Sequence, residues 1–215
     1  MRPERYTVPN GVASAELVIK NSRFIGTVGP AHDAEAARGF VTETARHYYD
    51  ASHNAWAFRI ATGPQGEVGF SDDGEPGGTA GRPMLAILDG SGLSQVVAVG
   101  TRYFGGTKLG TGGLVRAYSA CVREALAGLC TIDMVLHHLA RIEIDYGAYG
   151  PLSYQLPQLG VKIEDVAYAD RVSLTLAAPS KSRAATASLL QELTNGQIML
   201  AELTEWSATR YDPAS

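Results

Sequence analysis

The first 130 residues alternate between stretches with strand periodicity and stretches with helix periodicity. Every second residue is apolar or small in ASAELVIK (13–20) and in SHNAWAFRIA (52–61), as in half-buried strands. DAEAARGFVTETARHYY (33–49) has apolar residues at helical spacing instead, and Asp33 is placed to cap that helix. By the same rules we expect further strands over 22–29, 66–71 and 95–103 and further helices over 80–90 and 113–129.

Three of these segments carry more specific expectations. Strand 95–103 is mostly apolar, which predicts that both of its faces are covered. In strand 52–61 alanines alternate with bulky residues, so we expect another element to pack closely on the alanine face. Thr79 is expected to cap the helix over 80–90.

The last third of the chain has a different order of elements. We expect, in turn, strand 139–146, helix 150–160, strand 161–169, strand 171–178, helix 180–196 and strand 197–206. This order is that of the ferredoxin-like split βαβ pattern. A domain boundary is expected near 130–137, directly after the long helix.

Composition and charge restrict the function more than the fold. Hydrophobic residues make up 45% of the 215 residues, as in an ordinary globular protein. The formal net charge is −4: residues 1–136 hold 12 Lys and Arg against 13 Asp and Glu, and the remainder holds 6 against 9. Neither part is a basic domain that coats nucleic acid, so contact with nucleic acid has to come from a local patch.

The termini and the cysteines indicate a cytoplasmic protein. The first residues lack the apolar core of a signal peptide, and no apolar run reaches the length that spans a bilayer, so no membrane partner is expected. Cys121 and Cys130 form no CxxC pair, and both are expected to be buried, reduced thiols.

The strongest local signal is FGGTKLGTGG (104–113), which lies between a strand and a helix and holds five glycines in ten residues. A glycine-rich loop at a helix N-terminus suits a phosphate, because unpaired N–H groups and the positive end of the helix dipole lie there. Arg102 and Lys108 flank the loop, and Arg116 is expected in the first turn of the helix. The loop does not match the Walker A motif, because Thr111 stands where the motif has a lysine. It does not match the dinucleotide-binding motif either, because no third glycine follows Gly110 and Gly112 at the required spacing. The alternative is a crowded turn that lets strand and helix pack.

SDDGEP (71–76) and SHN (52–54) are weaker candidates for chemistry. Asp72, Asp73 and Glu75 offer oxygen ligands but do not match a calcium loop, so no metal is expected. The acidic turn is then simply solvated, or, as an alternative, its carboxylates pair with Arg102 or Arg116 and brace the glycine loop. Adjacent residues of a strand point to opposite faces, so Ser52 and His53 cannot act as nucleophile and base. No catalytic triad emerges.

Together these stretches resemble the IMPACT/YigZ family. The resemblance is carried by SRFIG (22–26), ASHNAWAFRI (51–60), SDDGEP (71–76), GTAGRPML (78–85) and TRYFGGTKLGTGGLVRAYS (101–119). Two residues depart from the family pattern, Ala55 where many relatives have cysteine and Gly77 where serine is common.

The resemblance implies an α+β protein of two domains. Residues 1–132 would form a domain of the ribosomal-protein-type βαβ fold that resembles domain IV of elongation factor G. Residues 137–210 would form a ferredoxin-like domain that resembles domain V of the same factor. In eukaryotic relatives the first domain takes part in translational control, where it binds the activator of a starvation-responsive kinase.

The function expected from these observations is that of a binding protein linked to translation, without a cofactor or catalytic residues. It would contact RNA, the ribosome or a translation-control protein through the cationic glycine loop, which would hold a phosphate-bearing group. Two alternatives stay open: a nucleotide- or phosphate-dependent enzyme that uses the same loop, and a pure protein-interaction module. The expected binding residues are Arg23, His53, Asn54, Asp72, Asp73, Glu75, Arg102, Gly105, Gly106, Lys108, Gly110, Gly112 and Arg116.

Overall fold

The first part of the chain is built on one antiparallel sheet in the computed structural model, which describes residues 4–60, 66–198 and 208–213. The chain divides into two units, residues 1–133 and 134–215. The elements of the first unit are β1 (Arg5–Pro9), β2 (Ala13–Ile19), β3 (Ser22–Pro30), α1 (Ala34–His47), β4 (His53–Ile60), β5 (Glu67–Ser71), α2 (Gly81–Gly90), β6 (Val96–Tyr103) and α3 (Thr111–Ala127). They agree with the segments expected from periodicity, except that β1 was not foreseen.

The sheet of the first unit has the strand order β2-β3-β6-β4-β5. Helices α2 and α3 pack on one face of it and α1 packs on the other. The central strand β6 is therefore buried on both faces, as expected. Ala55 and Ala57 of β4 are fully buried in the core beneath α2 and α3, which confirms the close packing predicted for the alanine face.

Close helix packing also explains one glycine of the sheet. A Cβ on Gly26 of β3 would overlap the backbone carbonyl of Cys121 in α3. Cys121 is buried at this crossing, as expected, whereas Cys130 is exposed, so the expectation for that thiol is wrong. Cys130 lies three residues beyond the end of α3, and its carbonyl accepts the N–H of Asn10.

Two helix starts differ from the sequence expectation. The Thr79 hydroxyl donates to the carbonyl of Pro76 and does not cap α2. The Asp72 carboxylate accepts the N–H groups of Ala80 and Gly81 instead. Helix α3 begins at Thr111 rather than at residue 113, so that its first turn contains two glycines.

The described residues of the second unit have the element order strand, helix, strand, strand, helix, strand. Its elements are β7 (Thr131–Ile144), which begins in the first unit, α4 (Tyr146–Gln155), β8 (Lys162–Tyr168), β9 (Val172–Pro179), α5 (Arg183–Leu193) and β10 (Ala208–Pro213). Strand β9 pairs with β7 and β8, and β10 pairs with β7, all antiparallel. Residues 199–206 of the strand expected over 197–206 lie outside the described residues.

The core of the second unit lies between its sheet and its helices α4 and α5. Ile144, Leu152, Leu174 and Leu190 are fully buried there. Helix α4 begins four residues earlier than expected and ends before Pro157, where a 3₁₀ turn runs to Gly160 at a φ of 73°. The whole chain is thus of the α+β class, as expected. No helix among the described residues is long and apolar enough to cross a membrane.

Candidate phosphate-binding pocket

The glycine loop and the SDDGEP loop meet in the first unit and enclose an open pocket of about 540 Å³. Strands β5 and β6 lead into these loops, and the start of β4 lies between them, since β4 pairs with both strands. The pocket is lined by Ser52, His53, Glu75, Pro76, Arg102, Phe104, Lys108, Leu109, Gly110, Thr111 and Leu114. The expectation that the two loops lie together is therefore confirmed.

The N-terminus of α3 forms one wall of the pocket. The first bond of the helix runs from the N–H of Leu114 to the carbonyl of Gly110. The N–H groups of Thr111, Gly112 and Gly113 consequently have no partner inside the helix, and no side chain of the described residues caps them. Three free donors and the positive end of the dipole of a 17-residue helix make this wall attractive to an anion.

The glycines of the loop have different reasons to be glycine. A Cβ on Gly105 would overlap the backbone of Asn21. The N–H of Gly105 donates to Ser22 Oγ at 3.1 Å. Gly106 and Gly110 have φ values of 85° and 74°, which disfavour other residues. A Cβ on Gly112 would meet only Nη1 of Arg116, at 3.7 Å. The crowded-turn explanation thus holds for Gly105, whereas Gly112 lies in open space.

A buried network of three side chains supports the floor of the pocket. Arg102 Nη1 donates to Glu75 Oε1 at 2.8 Å and to Oε2 at 3.0 Å. The hydroxyl of Tyr118, in α3, donates to the same Oε1 at 2.7 Å. Burial, aided by this bond to a carboxylate, raises the pKa of Tyr118 far above its ordinary value, so that it stays a donor. Sequence reasoning placed Tyr118 only in the apolar stripe of α3 and missed this role.

Arg102 keeps unused donors although its side chain is only 7% exposed. Of its three guanidinium nitrogens, only Nη1 has a hydrogen-bond partner among the described residues, and Nε is inaccessible to solvent. The guanidinium lies 5.4 Å from the ring of Phe24 and 5.3 Å from that of Phe104. A buried donor without a partner costs about 1–3 kcal/mol. Nη2 is therefore the guanidinium nitrogen that remains for a ligand in the pocket.

Two further groups with free polar atoms line the pocket. Lys108 is exposed and forms no ion pair within the described part of the chain. His53 Nδ1 lies 2.7 Å from the carbonyl oxygen of Asp73, which can only accept, so Nδ1 carries the proton. In the neutral ring Nε2 is then an acceptor, and it has no partner among the described residues.

Asp72 and Asp73 of the SDDGEP loop accept hydrogen bonds from backbone N–H groups and do not pair with Arg102 or Arg116. Partial burial raises the pKa of Asp72, but hydrogen bonds from the N–H groups of Gly78, Ala80 and Gly81 and the charge of Arg82 bring it below its ordinary value. Asp73 accepts the N–H of Asn54 at 2.6 Å. The expectation that the loop carboxylates pair with Arg102 or Arg116 is correct for Glu75 and wrong for these two, since backbone N–H groups lie closer to them.

Several expected site residues lie outside the pocket. Arg23 forms an ion pair with Glu16 at 3.0 Å, and its guanidinium lies over the ring of Tyr103. The side-chain oxygen of Asn54 accepts a hydrogen bond from the hydroxyl of Thr101. Because α3 starts early, Arg116 lies in its second turn rather than the first, although its guanidinium reaches back to Gly112.

Of the expected residues, the pocket lining includes His53, Glu75, Arg102, Lys108 and Gly110. Sequence reasoning missed the apolar walls of the pocket. Phe104, the first residue of FGGTKLGTGG (104–113), was the available signal for them. No group of side chains suited to a metal ion occurs among the described residues.

Both units of the chain match family models. Residues 20–126 match the Impact N-terminal domain, and residues 142–197 match a domain of unknown function. The first match includes every residue that lines the pocket.

Similar proteins cover nearly the whole chain. An IMPACT family member of Haemophilus influenzae is 37% identical over 91% of this chain and 95% of its own length. The IMPACT family member YigZ of Escherichia coli is 36% identical over 94% of this chain and its entire length. A crystal structure of a hypothetical protein has a TM-score of 0.66 at 36% identity and covers 91% of this chain and 95% of that one.

Proposed function

Because this chain belongs to the IMPACT family, we propose that it is a binding protein linked to translation and that its pocket holds a phosphate group of RNA, free or in the ribosome. One observation carries this proposal: Thr111 at the uncapped N-terminus of α3, the guanidinium of Arg102 and Lys108, which has no ion pair among the described residues, line one open pocket.

The chemistry of these groups favours phosphate over an uncharged ligand. All of them donate hydrogen bonds, and two carry a full positive charge. Hydrogen bonds between charged partners are about twice as strong as neutral ones. The Glu75 carboxylate already occupies Nη1 of Arg102, and this fixes the guanidinium beside the helix N-terminus before a ligand arrives.

The link to translation rests on the family and on the proposed domain folds. We infer that residues 1–132 and 137–210 correspond to domains that resemble domains IV and V of elongation factor G. The antiparallel strand order β7-β9-β8, with α4 after β7 and α5 after β9, supports a ferredoxin-like second domain. A protein of this kind would act in the cytoplasm, where ribosomes are.

Co-sedimentation with purified ribosomes, at about 50 mM and about 200 mM salt, tests the proposal. We expect Lys108→Ala to weaken binding and to flatten the salt dependence by roughly one unit of slope. Lys181→Ala removes the same charge from an exposed position of the second unit and should bind like the parent protein.

Helix α3 offers a second matched pair. Arg116→Ala removes a cation that reaches back to Gly112, and Arg123→Ala removes an exposed cation two turns further along the helix. Only the first change should weaken binding. If all four variants bind as the parent protein does, the pocket is not the contact surface. If the parent protein fails to sediment with ribosomes at low salt, a protein partner becomes the better account.

A second candidate function is hydrolysis of a phosphate ester. It is favoured by His53, whose Nε2 is an unpaired acceptor in the same pocket and is suited to take a proton from water. Release of inorganic phosphate from a nucleotide panel, lost in His53→Asn, would support it. A protein that binds nucleotides without releasing phosphate would rule it out.

A further inference from the structure

The structure also indicates which phosphate the pocket suits. We propose that it takes the terminal phosphate monoester of a nucleotide, either a free mononucleotide or the phosphorylated end of an RNA, rather than a diester inside a strand. This inference rests on the proposed function and narrows its ligand.

The number of donors matches a monoester. Thr111, Arg102 and Lys108 line the pocket, and Gly112 and Gly113 follow Thr111 in the first turn of α3. A phosphodiester has two non-bridging oxygens and one negative charge. A terminal monoester has three such oxygens and carries close to two charges at neutral pH, so it can use more of these donors.

The remaining walls suit the nucleoside attached to that phosphate. The pocket of about 540 Å³ is much larger than a phosphate and lies in the range of small-molecule sites. Pro76, Leu109 and Leu114 give it apolar walls. Phe104 lines it with a side chain that is 50% exposed, and the guanidinium of Arg102 supports the ring at 5.3 Å. An exposed, supported aromatic ring is a platform on which any base can stack.

The charge of the protein argues against a strand that runs across the surface. Binding along a nucleic-acid backbone depends on many phosphate contacts and on a cationic groove that follows them. Here residues 1–136 hold one more acidic than basic residue, and the acidic loop with Asp72 and Asp73 borders the site. One end-on phosphate needs fewer cations than a bound strand does, and Lys108, which has no ion pair among the described residues, lines the pocket beside Arg102.

The test compares one short single-stranded RNA, labelled internally, in three forms: with a 5′-phosphate, with a 3′-phosphate and with hydroxyls at both ends. Fluorescence anisotropy should show at least one phosphorylated form binding about tenfold tighter than the hydroxyl form. AMP should compete with it, whereas adenosine and inorganic phosphate should compete at least about tenfold more weakly than AMP.

Phe104→Ala should weaken binding of the preferred form about tenfold. Phe70→Ala is its matched control, because Phe70 is 41% exposed and lies under Arg82 at 5.7 Å, outside the pocket. The affinities of AMP and of the phosphorylated RNA distinguish the two possible ligands. Tighter binding of AMP indicates a free nucleotide, and tighter binding of the RNA indicates an RNA end.

Each outcome has a distinct meaning. If the three RNAs bind equally and Lys108→Ala weakens all of them, the proposed function stands and this inference is wrong. If inorganic phosphate competes as well as AMP, or Phe104→Ala binds like Phe70→Ala, the nucleoside part is wrong. If neither RNA nor AMP binds while the protein sediments with ribosomes, this inference is wrong and the proposed function stands. If the protein also fails to sediment with ribosomes, both proposals fail.

Discussion

Glu75 and Arg102 form a buried ion pair in which one guanidinium nitrogen lies 2.8 Å and 3.0 Å from the two carboxylate oxygens. The two side chains are only 2% and 7% exposed, and they connect the SDDGEP loop with strand β6, 27 residues further along the sequence. Each residue depends on the other, because a single buried charge is strongly disfavoured.

Removal of one member of this pair is therefore expected to destabilise the first unit. Glu75→Ala should lower the free energy of unfolding by about 3–5 kcal/mol, since it leaves the Arg102 charge buried without a partner. Urea denaturation measures the change. The double variant Glu75→Ala/Arg102→Met should recover part of this loss. A double variant no more stable than Glu75→Ala would contradict a coupling through charge.

Asp72 should contribute stability in a pH-dependent way. Asp72→Ala removes the acceptor of three backbone N–H groups at the start of α2, and we expect a loss of about 0.5–2 kcal/mol at neutral pH. The pKa of this carboxyl is lower in the folded protein than its ordinary 3.8. Its contribution is thus complete above that value and is lost as the pH falls through the folded-state pKa.

Thermal unfolding of both proteins from pH 7 to pH 2.5 checks this. The difference between them should stay constant down to about pH 4 and then shrink. A difference that persists at the lowest pH would mean that the cap acts without its charge.

Two glycines of the loop should respond in opposite directions to alanine. Gly105→Ala places a methyl group onto the backbone of Asn21 and should cost about 1–3 kcal/mol. Gly112→Ala lies in the first turn of α3 with free space around it, and should be neutral or gain up to about 1 kcal/mol. The melting temperatures of the two variants, compared with that of the parent protein, test this prediction. Equal decreases in melting temperature would contradict the distinction between a crowded and an open glycine.

The two cysteines should differ strongly in reactivity. Cys121 is buried, and burial raises the pKa of its thiol to about 12. The thiolate is the reactive form, so Cys121 should resist a thiol reagent at pH 8, while the exposed Cys130 reacts. Titration with a chromogenic disulfide should give one thiol per native chain and two after denaturation. Two rapid thiols in the native protein would contradict the buried position of Cys121.

The sequence alone determined most elements of the first unit and pointed to the glycine loop beside the pocket. Alternation in 52–61 and helical spacing in 33–49 depend on which face a side chain occupies, and this is a local property of the backbone. The glycine loop between a strand and a helix likewise marked the wall of the pocket, because close approach and positive φ require glycine wherever the chain is.

The partners of the polar side chains were decided only by the tertiary structure. Thr79 has the right chemistry and position for a cap, yet Asp72, which the turn brings beside α2, accepts the N–H groups there. Arg102 had three candidate carboxylates in the sequence, and only Glu75 reaches it, because the other two are held by backbone donors. Such choices are competitions between groups far apart in the chain, and their outcome depends on distances that exist only once the sheet and its helices have packed.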